Sequence, residues 1–356
     1  MFSKRIETLR KVMAERGLDA VLLQGDVNRN YMSGFKGDES YSIITMDKAI
    51  FITDSRFTEQ ATQEVKDYEV REYQRPFEAF LDKIVKEFNI KKLGFEENVL
   101  TYELYNSYKE AVSCELIPLN GVIETLREIK CEKEIEIMRK AQNIADKGFE
   151  HILKFIKPGM TEREIGLELE FYMRKLGATG LSFPSIVASG VRSSLPHGMA
   201  TEKVVENGDF LTLDFGVVYD GYCSDMTRTI VIGEPNEKMK EIYNVVLKAQ
   251  EAALKAVKPG ISCYDLDKIA RDIITEAGYG EYFGHGLGHG VGRVVHELPM
   301  VNFRSKEILK PGMVITDEPG IYIPNFGGVR IEDIILVTED GYEVFSKSPK
   351  ELICLK

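Results

Sequence analysis

The sequence predicts a mixed α/β (α+β) fold in two domains, on three observations: its length, a change of texture near residue 125, and an internal echo confined to the second part. At 356 residues the chain exceeds what one small core needs. A charge of −11 with no basic block excludes a nucleic-acid surface. The five cysteines are scattered and never form a CxxC pair, which argues against a disulfide framework or a thiolate zinc site and for reduced thiols in the cytoplasm. No apolar run approaches the ~20 residues of a membrane span, so no membrane partner is expected.

The N-terminus carries Ile6, Leu9, Val12 and Met13 at helical spacing among charges, an amphipathic helix and not a signal peptide. Short apolar runs follow: DAVLLQ, then YSIIT and AIFIT around a turn at Met46, Asp47 and Lys48, with helical patterns over 77–88 and 102–112. This alternation predicts a compact α/β domain over residues 1–124. Past Pro118 a long charged helical stretch places the boundary to a second domain, 125–356.

The second domain repeats itself. LKFIKPGMT at 153–161 is echoed by LKAVKPGIS at 254–262, and NGDFLTLDFG at 207–216 by PGMVITDEPG at 311–320. Two copies of helix, helix, strand and strand predict internal pseudo-twofold symmetry, with an antiparallel sheet covered by helices and a site near the pseudo-axis. The echo aligns Asp214 with Glu318, and Asp225, four past Gly221, with Glu332, four past Gly328. One such carboxylate could cap a turn, but four in register inside apolar strands need cations or protons.

Strand geometry allows these groups to converge. Asp214 and Asp225 are eleven apart around Tyr219, Asp220 and Gly221 and share a face across an even-length loop. Glu318 and Glu332 are fourteen apart and need an odd-length loop, which the stretch from Pro324 to Gly328 can supply. Two divalent cations would balance the four charges, and oxygen-rich ligation with an imidazole or two suits manganese, cobalt, iron or zinc.

Of five histidines, only His151 reads as solvated surface. His197, His285, His289 and His296 fall within one hundred-residue window, two of them in GHGLGHGVG at 284–292. His285 and His289 have the spacing of a helical zinc pair, but the alternating glycines oppose a helix and match no phosphate-binding loop. An extended segment would instead place His285, Leu287, His289 and Val291 on one face, with bare backbone that lets a neighbouring strand or substrate approach.

In order and context, Asp214, Asp225, His289, Glu318 in EPGIY and Glu332 in GGVRIED resemble the five metal ligands of the pita-bread metallopeptidases, which include methionine aminopeptidase, aminopeptidase P and prolidase. SLPHG at 194–198 and VVHELP at 294–299 extend the resemblance, and NRNYMSGF and TDSRFTEQA resemble the N-terminal domain of the Xaa-Pro peptidases in that family. The resemblance implies a pita-bread catalytic domain whose Asp225 and Glu332 bridge two metals, manganese or cobalt before zinc or iron. Asp214 would complete one metal and His289 with Glu318 the other, with a metal-activated water as nucleophile. It implies Glu318 as proton acceptor, His296 as donor to the substrate carbonyl or oxyanion, and His197 beside the leaving nitrogen. Phe183, His285 and His296 would line the proline pocket. Arg330 would face the prolyl carboxylate or the backbone beyond it, or act as counter-ion to the carboxylates, and Tyr322 would join the same network. The activity implied is hydrolysis of Xaa-Pro bonds in small peptides by a homodimer, as an Xaa-Pro dipeptidase or alternatively an Xaa-Pro aminopeptidase. A remote alternative is an inactive binding module, which would be expected to lose ligands. One departure is Asp317, where the family carries an apolar or Thr-like residue; it is expected on the opposite strand face.

Overall fold

The computed structural model describes all 356 residues, which fall into two compact units, Met1–Leu126 and Arg127–Lys356. The first unit begins with α1 (Phe2–Arg16), stopped at Gly17 by a left-handed conformation with φ 65°. Strands β1 (Ala20–Leu23), β2 (Ser40–Thr45) and β3 (Ala49–Thr53) follow, with α2 (Asp26–Ser33) between the first two. Then come α3 (Thr58–Glu64), β4 (Glu69–Glu72), α4 (Phe77–Glu87), β5 (Lys92–Phe95), α5 (Tyr102–Ala111), β6 (Glu115–Pro118) and α6 (Val122–Glu128). The strands form one sheet in the order β4-β3-β2-β1-β5-β6, antiparallel only at the two β2 pairings. β1 is buried on both faces, Val21 and Leu23 packing into one apolar cluster and Ala20 and Leu22 into another, as expected of a run without polar alternation.

The charged helical stretch after Pro118 breaks into two helices, α6 and α7 (Glu132–Phe155). Distant residues cause the break. The Lys130 N–H donates to Gly312 O at 2.8 Å and its Nζ reaches the buried Glu297 carboxylate at 2.7 Å, drawing the backbone out of the helix.

The second unit continues with α8 (Glu162–Lys175), β7 (Gly180–Leu181), β8 (Ile186–Ser189), β9 (Phe210–Phe215), β10 (Val217–Tyr219), β11 (Tyr222–Cys223) and β12 (Met226–Ile232). The second copy comprises α9 (Glu237–Ala256), α10 (Cys263–Glu276), β13 (Gly288–Gly290), β14 (Glu297–Val301), β15 (Val314–Asp317), β16 (Gly320–Ile323), β17 (Gly327–Arg330) and β18 (Asp333–Val337). Two short strands, β19 (Tyr342–Val344) and β20 (Cys354–Leu355), close the chain. The echoed Thr161 and Ser262 are the N-caps of α8 and α10, each accepting a backbone N–H three residues on.

The strands form two blocks, β20-β12-β9-β8 and β14-β13-β15-β18-β19, with small hairpins at their ends. Leu211, Leu213 and Ile230 pack against α7 and α8; Ile315 and Ile335 pack against α9 and α10. Helices therefore cover one face of each block, and the period of two sends Asp214, Asp225, Glu318 and Glu332 to the other.

Candidate metal centre and substrate cavity

Each acidic pair sits on one long hairpin whose ladder is interrupted where the acids lie. Asp214 stands opposite Thr227, and the same register continues through Tyr219 and Tyr222 to a two-residue turn at Asp220 and Gly221, with φ 46° and 78°. Asp225, two before Thr227, therefore shares the face of Asp214. In the second hairpin Asp317 stands opposite Asp333 and Gly320 opposite Arg330, which sets Glu318 across from Glu332. The turn between Ile323 and Gly327 has three residues, the odd length required.

The four carboxylates and His289 converge. Ligand atoms of Asp225, His289 and Glu332 lie within 4.8 Å of one another. His289 Nε2 is 3.2 Å from Glu318 Oε1 and 3.7 Å from Asp225 Oδ2, while its Nδ1 is 3.0 Å from Gly290 O. A ring that donates from Nδ1 to that carbonyl presents Nε2 to the carboxylates, the orientation of a metal-binding imidazole. Thr227 Oγ1 donates to Glu332 Oε2 at 2.6 Å, and Thr316 Oγ1 to Glu318 Oε1 at 3.1 Å.

Electrostatics point to missing positive charge. Burial, then the neighbouring carboxylates, holds Asp225 and Glu332 well above their ordinary range, and burial also raises Asp214. Burial acts the same way on Glu318, but its hydrogen bond to His289 and the charge of that ring outweigh it and bring Glu318 down to about 2. Only one guanidinium, Arg330, reaches the cluster: Nη2 lies 2.5 Å from Asp214 Oδ2, and Asp214 Oδ1 is buried without a partner. Four acids facing one fixed cation, with an orphaned oxygen among them, suit divalent ions with oxygen-rich ligation.

Arg330 is held as a counter-ion. Besides Asp214, it donates to Thr227 Oγ1 at 3.0 Å, Tyr322 Oη at 2.8 Å and Pro196 O at 3.2 Å. Tyr322 in turn lies 2.9 Å from His285 Nε2, and His285 Nδ1 is 2.7 Å from Gly286 O. Both nitrogens of His285 are thus engaged away from the carboxylates, and burial lowers its pKa. A cavity of about 1110 Å³ opens over the cluster, lined by Phe183, His197, His285, His296, Tyr322 and Arg330 among others. His296 packs edge-on to His289, ring centroids 4.3 Å apart, and burial keeps it neutral to lower pH than usual.

GHGLGHGVG is strand only over Gly288–Gly290, with a register shift after His289. The expected common face fails at Leu287, which packs with Ile315 and Ile335 under α9 and α10, whereas Val291 packs with Val314 and Ile334. The close approach is present: a Cβ on Gly288 would lie 2.2 Å from Thr316 O, and one on Gly290 2.1 Å from Leu298 O. Asp317 lies on the face away from the site, fully buried with neither carboxylate oxygen hydrogen-bonded, and burial beside Asp333 raises its pKa well above the ordinary value. Sequence reasoning passed over Thr227 and Thr316, although two residues from Asp225 and Glu318 is the spacing that puts a strand neighbour on the same face.

Comparison with known proteins accords with this geometry. Residues 136–339 match metallopeptidase family M24, and residues 5–129 match the creatinase/prolidase N-terminal domain. An Xaa-Pro dipeptidase from Bacillus anthracis is 53% identical with a TM-score of 0.98, covering 100% of both chains. An X-Pro aminopeptidase from Thermotoga maritima is 41% identical with a TM-score of 0.92, covering 98% of this chain and 99% of that one. The Xaa-Pro dipeptidase of Pyrococcus furiosus is 44% identical over 352 residues, 98% of this chain and 99% of the relative.

Proposed function

This chain belongs to metallopeptidase family M24, and from that premise we propose that it hydrolyses Xaa-Pro peptide bonds, foremost as an Xaa-Pro dipeptidase. The observation that carries the reading is the convergence of Asp214, Asp225, His289, Glu318 and Glu332 beneath one cavity. Asp214, Asp225, His289, Glu318 and Glu332 would hold two divalent ions, manganese or cobalt. Such ions supply Lewis-acid polarisation of the scissile carbonyl and lower the pKa of water.

The chain's own residues complete the chemistry. Glu318, steadied by Thr316, accepts the proton of the attacking water. His296, neutral at the cavity wall, donates an N–H to the carbonyl oxygen as charge develops there. His197 lies on the cavity wall to meet the leaving side, and Phe183 offers an apolar surface to the proline ring, whose nitrogen brings no N–H to satisfy. Arg330 and Tyr322 keep Asp214 and His285 in place, which supports the counter-ion role over direct carboxylate binding.

The similarity to an X-Pro aminopeptidase supports a second reading, release of the first residue from longer peptides with proline second. With manganese added, Ala-Pro should be cleaved at least tenfold faster than Ala-Pro-Ala; comparable or faster cleavage of the tripeptide would favour the aminopeptidase. The reading includes a homodimer, to be checked by sedimentation, and a cytoplasmic location in keeping with five free cysteines. No helix is long and apolar enough to cross a membrane.

A further inference from the structure

Glu332 is tied to the first copy of the repeat at three points, all through two consecutive residues of β12. Its N–H donates to Thr227 O at 3.1 Å, its Oε2 accepts from Thr227 Oγ1 at 2.6 Å, and its carbonyl accepts from Arg228 Nη1 at 2.5 Å. Alternation along the strand explains the two-sided grip: Thr227 points to the carboxylate face and Arg228 to the helix-covered face. The second side is strongly built. Arg228 is 1% exposed and all five of its N–H groups have acceptors: Thr227 O, Glu332 O, Asp333 Oδ1, Ser348 O and Pro349 O. Asp333 is held in turn by Gln250 at 3.1 Å and Lys350 at 2.7 Å.

Nothing in catalysis requires a buried arginine on the far side of the sheet. Thr227 and Arg228 sit where the two copies of the repeat meet, and the residue they hold is one of the acids that would hold metal. We infer that Thr227 and Arg228 are positioning residues that set the carboxylate of Glu332, and that through Arg228 the C-terminal segment around Ser348 and Pro349 forms part of the metal-site framework. The inference rests on the reading of Glu332 as a metal ligand. A carboxylate released from this grip would sample several rotamers, and removing such supporting groups weakens metal affinity by about 10–100-fold.

The test is cobalt titration of the full-length protein after chelator treatment, followed by calorimetry and by the visible absorption of bound cobalt. Thr227→Val removes the hydroxyl while keeping the side-chain shape, and Arg228→Lys keeps the charge but has three N–H groups for five acceptors. Both should raise the cobalt Kd about tenfold or more and alter the absorption band. Arg29→Lys, which perturbs a buried arginine of the other unit, should change neither. If Arg228→Lys loses its folded circular-dichroism spectrum, Thr227→Val decides alone. A Thr227→Val protein with wild-type Kd and wild-type spectrum overturns the inference. Wild type that takes up no cobalt, or Glu332→Gln that binds like wild type, overturns the ligand reading itself and the inference with it.

Discussion

Gly288→Ala is the sharpest probe of the glycine-rich segment. The new Cβ would lie 2.2 Å from Thr316 O and 2.6 Å from Thr316 Oγ1, where ordinary contact begins at 3.4 Å. β13 and β15 must therefore separate by about 1.2 Å, since a packed interior has no slack to absorb the methyl group. The strain falls directly on the site. Thr316 Oγ1 accepts the His289 N–H at 3.1 Å and donates to Glu318 Oε1 at 3.1 Å, so both groups move with it. A misplacement of about 1 Å costs about 100-fold in turnover. Overpacking of this kind also costs about 1–3 kcal/mol, and for a domain of this size each kcal/mol lowers Tm by about 2–4 °C. Steady-state hydrolysis of Ala-Pro by manganese-loaded protein, with a thermal melt, measures both effects. Gly284→Ala is the control, because its Cβ would meet nothing within 4 Å and should leave Tm unchanged. Equal behaviour of the two variants, or a Gly288→Ala protein within threefold of wild type, would refute close strand approach as the reason for the glycines.

His289→Ala should abolish activity and lose one bound metal, whereas His285→Ala, whose ring is hydrogen-bonded only to Gly286 and Tyr322 and packs edge-on against Phe283, should impair turnover with metal retained; elemental analysis distinguishes them. Metal at one hundred times its Kd stabilises a protein by about 2.7 kcal/mol, so a chelator should lower the urea midpoint accordingly. That loss should grow with pH. Carboxyls raised in the folded state hold protons that the unfolded chain has released, so the metal-free protein loses stability as pH climbs above 4.5 toward their folded values, and chelated samples unfolded at pH 6 and pH 8 should show it. Glu318, with its lowered pKa, contributes in the opposite sense only below 4.5; His285 and His296, also lowered, oppose the trend only around 6.5, where the raised His289 acts with the carboxyls.

What was legible in the sequence was whatever local spacing governs. The echo located both hairpins, and the period of two chose the face of each carboxylate and sent Asp317 to the other side. Loop parity placed the turns, two residues in one hairpin and three in the other. Long-range effects were hidden. The break before α7 depends on Gly312 and Glu297, more than 160 residues away, and Leu287 leaves the expected face because its N–H is taken by the buried Asp267 carboxylate at 2.9 Å. The engagement of Arg330 with Asp214 spans 116 positions, so spacing placed the guanidinium on the site face without saying whether it meets a substrate or an acid of the site.

The pseudo-symmetry also explains why the two halves of the centre cannot be alike. Thr212 and Thr316 occupy the same position in the echo; Ala188 stands opposite Thr212, and His289 takes the matching place beside Thr316, its N–H bonded to that hydroxyl. Where the second copy has an imidazole the first has a methyl group. The vacancy in the first copy is filled from the second, because Arg330 reaches across to Asp214. The echoed acids therefore face different cations: Glu318 an imidazole that can exchange its proton for a metal, Asp214 a guanidinium that keeps its charge at any working pH. On the proposed two-ion reading, a metal beside His289 would gain a ligand, while one beside Asp214 would approach a standing positive charge. Two binding steps of unequal affinity should follow in a cobalt titration. His289→Ala should remove the tighter of them, and a single class of sites in wild type would contradict the asymmetry.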